Sequence, residues 1–139
     1  MKLSEIAASL DLTVPKDVVI TGLSIDTRTL KPGNLFIALR GTRVDGQQFI
    51  PEAIKCGASA VLCAELLPEH AIPQLVYPDV ERALGLIASA YRTSLSCSVV
   101  ALTGSNGKTT VKAMLAAILP QPSFATPGNR NNHLGVPLS

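Results

Sequence analysis

The stretch Val99–Leu119, VVALTGSNGKTTVKAMLAAIL, constrains this chain more than any other. An apolar run reaches Gly104, a second glycine follows at Gly107, and Lys108, Thr109 and Thr110 open an alanine-rich segment. The pattern predicts a strand, a tight turn and a helix over 109–119. Gly104 and Gly107 let backbone N–H groups turn inward with no Cβ in the way, and the positive end of the helix faces the turn. Such a turn suits an anion. Lys108 is placed to meet the outer phosphates of a nucleotide, and the Thr109 hydroxyl to ligate magnesium. Only Ser105 and Asn106 separate the two glycines, whereas the widespread form of this loop is GxxxxGK[ST], so GTPase and kinase readings weaken.

Nucleotide hydrolases also need a carboxylate to help hold magnesium, usually on a neighbouring strand. None lies between Gly104 and Ser139. The 29 residues from Val111 to Ser139 provide one βαβ unit at most, so this domain is expected to be cut short. Charge divides the chain the same way. All ten Asp and Glu lie between Glu5 and Glu81, while Arg82 to Ser139 carries five Lys or Arg and no acid. A basic segment fits an anionic ligand, and with 4% aromatics and no Trp it lacks a stacking surface for nucleic acid.

Strand and helix alternate upstream of the loop. Leu3, Ile6, Ala7 and Leu10 recur at helical spacing, predicting a helix that ends near Asp11. Val18 to Asp26 reads as a strand with Gly22 as a bulge, and Lys31 to Asn34 as a tight turn before a second strand, LFIAL. Phe49 to Cys56 reads as a short helix closed by Gly57, followed by the strands ASAVLC and QLVYP. Asp79 is placed to cap a helix over 80–93 whose Ala83, Leu84, Ile87, Ala88 and Tyr91 share a face. CSVVALTG and SFAT complete the predicted strands. The alternation indicates α/β architecture. The domain boundary is placed on the helix over 79–93 or just after it, giving units 1–80 and 81–139.

Other function classes recede. Cys56, Cys63 and Cys97 form no CxxC pair and read as plain buried thiols, while His70 and His133 are too few for a metal cluster. No apolar run approaches the ~20 residues of a membrane helix. MKLSEIAASL carries Glu5 within its apolar pattern and reads as an amphipathic helix, not a signal peptide, so a soluble cytoplasmic protein is expected.

Two segments together carry a family resemblance. TGSNGKTT followed by TPGNRNNHLGVPLS resembles the start of the central P-loop ATPase domain of the Mur ligases, bacterial cytoplasmic enzymes of peptidoglycan synthesis. SIDTRTLKPGNLFIALRGTRVDGQQFIPEAIKCGASAVL is similar to their small N-terminal α/β domain, which holds the UDP end of a sugar-nucleotide substrate. The GNxNNxxGVP ending looks most like the branch that adds D-alanyl-D-alanine to UDP-N-acetylmuramoyl-tripeptide. The resemblance spans nearly the whole chain but a third or less of such an enzyme. It implies amide formation driven by ATP through an acyl phosphate, with Lys108 and the amides from Gly104 to Thr110 stabilising the transferring phosphoryl group.

The resemblance also implies that Asn129 and Asn132 line the nucleotide site and Asn131 the substrate side. Arg130 and His133 fall at variable positions. In the first domain Asp26, Thr27 and Arg28 match a motif at a strand end, and Gly41, Asp45 and Gly46 match the glycine loop that follows. The Arg28 fork suits a diphosphate. Asp26 and Asp45 are equally suited to capping turns, and Arg40 and Arg43 to standing as solvated loop charges. Gln47 stands where the family often carries His.

Alternatives are a Mur ligase adding a single amino acid, a folylpolyglutamate synthetase, and a standalone nucleotide-binding module. The fragment alone is expected to be inactive, to bind nucleotide weakly, and to self-associate through its truncated sheet.

Overall fold

The structure, a computed structural model, describes residues 1–41 and 44–126. At its centre four parallel strands lie in the order β1-β2-β3-β4. They are β1 (Gly22–Ser24), β2 (Asn34–Ile37), β3 (Ala60–Cys63) and β4 (Gln74–Val76). Leu23 lies opposite Leu35, Phe36 opposite Val61, and Leu62 opposite Leu75. The helices are α1 (Leu3–Ala8), α2 (Ile50–Lys55), α3 (Val80–Ser94) and α4 (Lys108–Ile118).

Successive strand residues face opposite sides of a sheet, and here both sides are covered. Leu35, Ile37, Ala60 and Leu62 pack with Leu3 and Ile6 of α1 and with Val80, Leu84 and Ile87 of α3. Phe36, Val61 and Cys63, on the other side, meet Ile50 and Ala53 of α2. Each such Leu, Ile or Phe, once buried, contributes ~1.5–3 kcal/mol. Two covered faces explain why β2 and β3 read as unbroken apolar runs. The expected α/β class is what forms.

Local signals act as their chemistry dictates. The Asn34 N–H donates to the Lys31 carbonyl at 3.1 Å across Pro32 and Gly33, closing the predicted turn. Asp79 caps α3 by accepting the Arg82 N–H at 2.9 Å. A short 3-10 turn, Gly46–Phe49, leads into α2, and Gly57 follows it in left-handed backbone.

Several expectations are corrected. The strand expected over Val18–Asp26 shortens to Gly22–Ser24 because the residues before it have another partner. The Ile20 N–H donates to the Met1 carbonyl at 2.8 Å and the Leu3 N–H to the Val18 carbonyl at 2.9 Å. Gly22 is no bulge, being paired in register with Asn34. The apolar face of α3 ends at Ile87, leaving Tyr91 exposed. The strands expected at Cys97–Gly104 and Ser123–Thr126 do not form among the described residues, since a strand needs a neighbouring strand to take its N–H and C=O groups and neither segment joins the described sheet. Val99 and Val100 are exposed, and α4 forms without burying a residue. Cys97, in this unpaired stretch, is exposed; only Cys63 fits the buried-thiol expectation fully, Cys56 being intermediate. Among the described residues no helix is long and apolar enough to cross a membrane.

Candidate functional site

Two places gather the residues expected to bind. The first is the start of α4. Its backbone turns at Gly104 and Gly107, with φ of 141° and 78°, and Gly107 is the N-cap residue. A Cβ at Gly107 would meet nothing within 4 Å, so left-handed backbone, not space, selects glycine there. The first N–H groups of any α-helix lack intrahelical partners. In α4 the first helical bond runs from the Val111 N–H to the Gly107 carbonyl at 2.9 Å, and the glycine at the N-cap has no side chain to cap the helix with. Lys108, Thr109 and Thr110 form its first turn, and Ser105, Asn106, Thr109 and Thr110 are exposed. The Lys108 ammonium folds back and donates to the Gly104 carbonyl, drawing the loop into a ring. An ammonium has three donors, so this bond leaves capacity for an anion.

The fit to a nucleotide rests on this helix start, its left-handed glycine N-cap and its half-buried cation. For magnesium, Thr109 supplies a hydroxyl at the second helical position. Among the described residues no group of three or more His, Cys, Asp and Glu gathers to hold a metal. Magnesium is often held by few protein atoms plus phosphate oxygens and water, which this donor set allows. Asn129, Asn131 and Asn132, like Arg43, Arg130 and His133, lie outside the described residues.

The second place is a cleft of about 550 Å³ beyond the end of β1, lined by Ile25, Asp26, Thr27, Arg28, Phe36, Val44, Phe49 and Glu52. Ligands of open α/β sheets sit outside the carboxyl ends of strands, which is where this cleft opens. The turn after β1 is braced from below: buried Ser24 donates its hydroxyl to the Asp26 carbonyl at 2.9 Å. Asp26 accepts the Arg28 backbone N–H at 3.0 Å. It also takes the Arg28 fork, with Nε at 2.9 and 3.1 Å from its two oxygens and Nη2 at 2.5 Å. The Arg28 side chain, then the Arg28 backbone N–H, hold the Asp26 carboxyl down at about 2, and the carboxylate raises the Arg28 guanidinium in turn.

The other loop residues divide differently. Asp45 accepts the Gln47 N–H at 3.0 Å, capping the 3-10 turn, and pairs with Arg40 Nε at 3.1 Å. Arg40 also reaches Glu65 at 3.8 Å, and Gln47 accepts the Glu65 N–H at 3.3 Å. Asp45, Arg40 and Gln47 therefore tie the loop to the segment after β3. Gly41 donates to the Val44 carbonyl at 2.9 Å. Gly46 touches the backbone just after β2 so closely that a Cβ there would lie 2.5 Å from the Leu39 carbonyl oxygen. Of the residues expected in this domain, the structure brings Asp26, Thr27 and Arg28 to the cleft, while Gly41, Asp45 and Gly46 shape the loop beside it. Sequence reasoning missed the apolar wall. Ile25, Val44 and Phe49 are large apolar side chains more than a third exposed, and their place in otherwise polar loops was the signal available.

A parallel α/β sheet with a cleft at its strand ends is followed, along the chain, by a glycine turn that opens a helix. The chain belongs to the Mur ligase family: residues 19–92 match the Mur ligase family, catalytic domain, and residues 102–139 the Mur ligase middle domain. It is 44% identical to the UDP-N-acetylmuramoyl-tripeptide--D-alanyl-D-alanine ligase of Escherichia coli (strain K12), over 88% of this chain and 27% of the relative. It is 40% identical to the UDP-N-acetylmuramoyl-L-alanyl-D-glutamate--2,6-diaminopimelate ligase of Bacteroides fragilis, over 83% of this chain and 25% of the relative. The crystal structure of MurF ligase from Thermotoga maritima in complex with ADP superposes with a TM-score of 0.74 at 32% identity, over 84% of this chain and 28% of that one. The chain thus spans about a quarter of the length of the curated relatives it matches.

Proposed function

We propose that this segment serves an ATP-dependent ligase that adds D-alanyl-D-alanine to UDP-N-acetylmuramoyl-tripeptide. The observation that carries the proposal is the ring at the start of α4, where Lys108 closes over Gly104 beside a left-handed glycine N-cap. ATP is held there by the amides of residues 104–110, and Asn129 and Asn132 are further nucleotide-binding residues in this reading. Lys108 is the catalytic cation, balancing charge on the phosphoryl group as it passes to the tripeptide carboxylate. Magnesium, when bound, neutralises phosphate charge, and Thr109 is its protein ligand. The cleft beyond β1 takes the UDP end of the substrate, with Arg28 on the diphosphate, Asp26 and Thr27 beside Arg28, the loop of Gly41, Asp45 and Gly46 at its edge, and Asn131 as a further substrate-binding residue. The two units meet just after α3, whose apolar face packs on the first sheet.

The segment alone is inactive in this reading and works in the cytoplasm without nucleic acid or membrane. Exposed Val99, Val100, Met114 and Ile118 favour its self-association. A chimera tests the assignment. Replacing the corresponding quarter of the Escherichia coli relative with this segment is expected to preserve phosphate release that depends on D-alanyl-D-alanine, and Lys108→Ala to abolish it. A second reading, a diaminopimelate-adding ligase, is favoured by the 40% identity to such a relative. The same chimera built in that relative, active only with diaminopimelate while the first stays silent, would decide for it.

A further inference from the structure

We infer that Asp26 is a positioning residue: it fixes the Arg28 fork so that the remaining guanidinium donors meet the diphosphate of a nucleotide ligand, and it does not itself contact that ligand. This deepens the proposed reading of the cleft and rests on it. Asp26 engages Arg28 through Nε and Nη2, at 2.9, 3.1 and 2.5 Å, and through the Arg28 backbone N–H at 3.0 Å. Both Asp26 oxygens are thereby taken. A guanidinium has five donors, so Nη1 and the second hydrogen of Nη2 are left, and Arg28 lines the cleft.

Folding stability is not what this pair supplies. The Arg28 side chain is 84% exposed, and exposed ion pairs contribute little to stability. An unheld arginine samples many rotamers and loses that freedom on binding, whereas one already held by a carboxylate loses less. The Ser24 hydroxyl, bonded to the Asp26 carbonyl, fixes the base of the arrangement from within the core. An anion beside an anion site is otherwise unfavourable, and a rigid fork turned towards the ligand is what offsets it.

Asp26→Asn separates the roles, since an amide oxygen still accepts the Arg28 N–H and keeps the turn but loses the charge and the second acceptor. Calorimetric titration of the protein with uridine and with UDP reads the outcome. UDP binding should weaken about tenfold, the scale of one hydrogen bond to a charged group, with uridine binding unchanged. In an Arg28→Gln background the same substitution should change nothing, because the two residues act as one unit. Equal losses for uridine and UDP, an unchanged or tighter grip on UDP, or an additive double variant would each overturn the inference. Failure of the unaltered protein to bind UDP at all would instead overturn the underlying reading of the cleft, and the inference with it.

Discussion

Gly46→Ala tests whether the loop beside the cleft is seated by contact with the backbone that leaves β2. The new Cβ would stand 2.5 Å from the Leu39 carbonyl oxygen and 2.8 Å from both the Ala38 carbonyl carbon and the Leu39 nitrogen. All three are backbone atoms and cannot swing aside as a side chain would. Their segment is also held: the Ala38 N–H donates to the Leu62 carbonyl at 2.9 Å, and the Gly46 N–H to the Leu39 carbonyl at 2.8 Å. Overpacking of this kind costs ~1–3 kcal/mol, and loss of the Gly46 bond adds ~1 kcal/mol if the loop lifts away. Gly85→Ala is the control. Gly85 lies exposed within α3, where a Cβ meets nothing within 4 Å, and helical Gly→Ala stabilises by ~0.5–1 kcal/mol. Urea unfolding followed by circular dichroism should move the two variants in opposite directions. Because Val44 and Phe49 flank this loop and line the cleft, Gly46→Ala should also weaken UDP binding. Stability within ~0.5 kcal/mol of the parent, the range of an ordinary surface substitution, would refute the contact account.

Asp79→Ala should cost ~1 kcal/mol by removing the cap on the Arg82 N–H, and Asp79→Asn should restore most of it, both read by thermal melts. Asp26 has a lowered pKa, so whatever its charge contributes is fully present above the ordinary carboxylate range and is lost as pH falls towards about 2. NMR titration of its carboxyl carbon should place the midpoint there, and a midpoint near 3.8 would show that Arg28 does not hold it. Burial raises the Cys63 thiol to about 11, so at neutral pH a thiol reagent should label exposed Cys97 at once and reach Cys63 only on unfolding.

How far the sequence reveals this protein follows from which interactions are local. The Lys31–Asn34 turn, the Asp79 cap and the Gly107 helix start are each decided within a few residues, and each was read correctly. The core strands were readable too, because β2 and β3 are covered on both faces and must be apolar throughout. Val99–Leu102 is as apolar as those strands, yet joins no sheet among the described residues. Composition states that a segment can be buried; only a partner with free N–H and C=O groups makes it a strand. The cleft divides along the same line. Asp26, Thr27 and Arg28 are adjacent in the chain and were recognisable as a motif, whereas Ile25, Val44 and Phe49 become one wall only when the loops after β1 and β2 fold together. Asp45 shows the remaining difficulty: a carboxylate in a glycine loop suits a ligand or a turn equally well, and its bonds to Gln47 and Arg40 show only that it serves the turn.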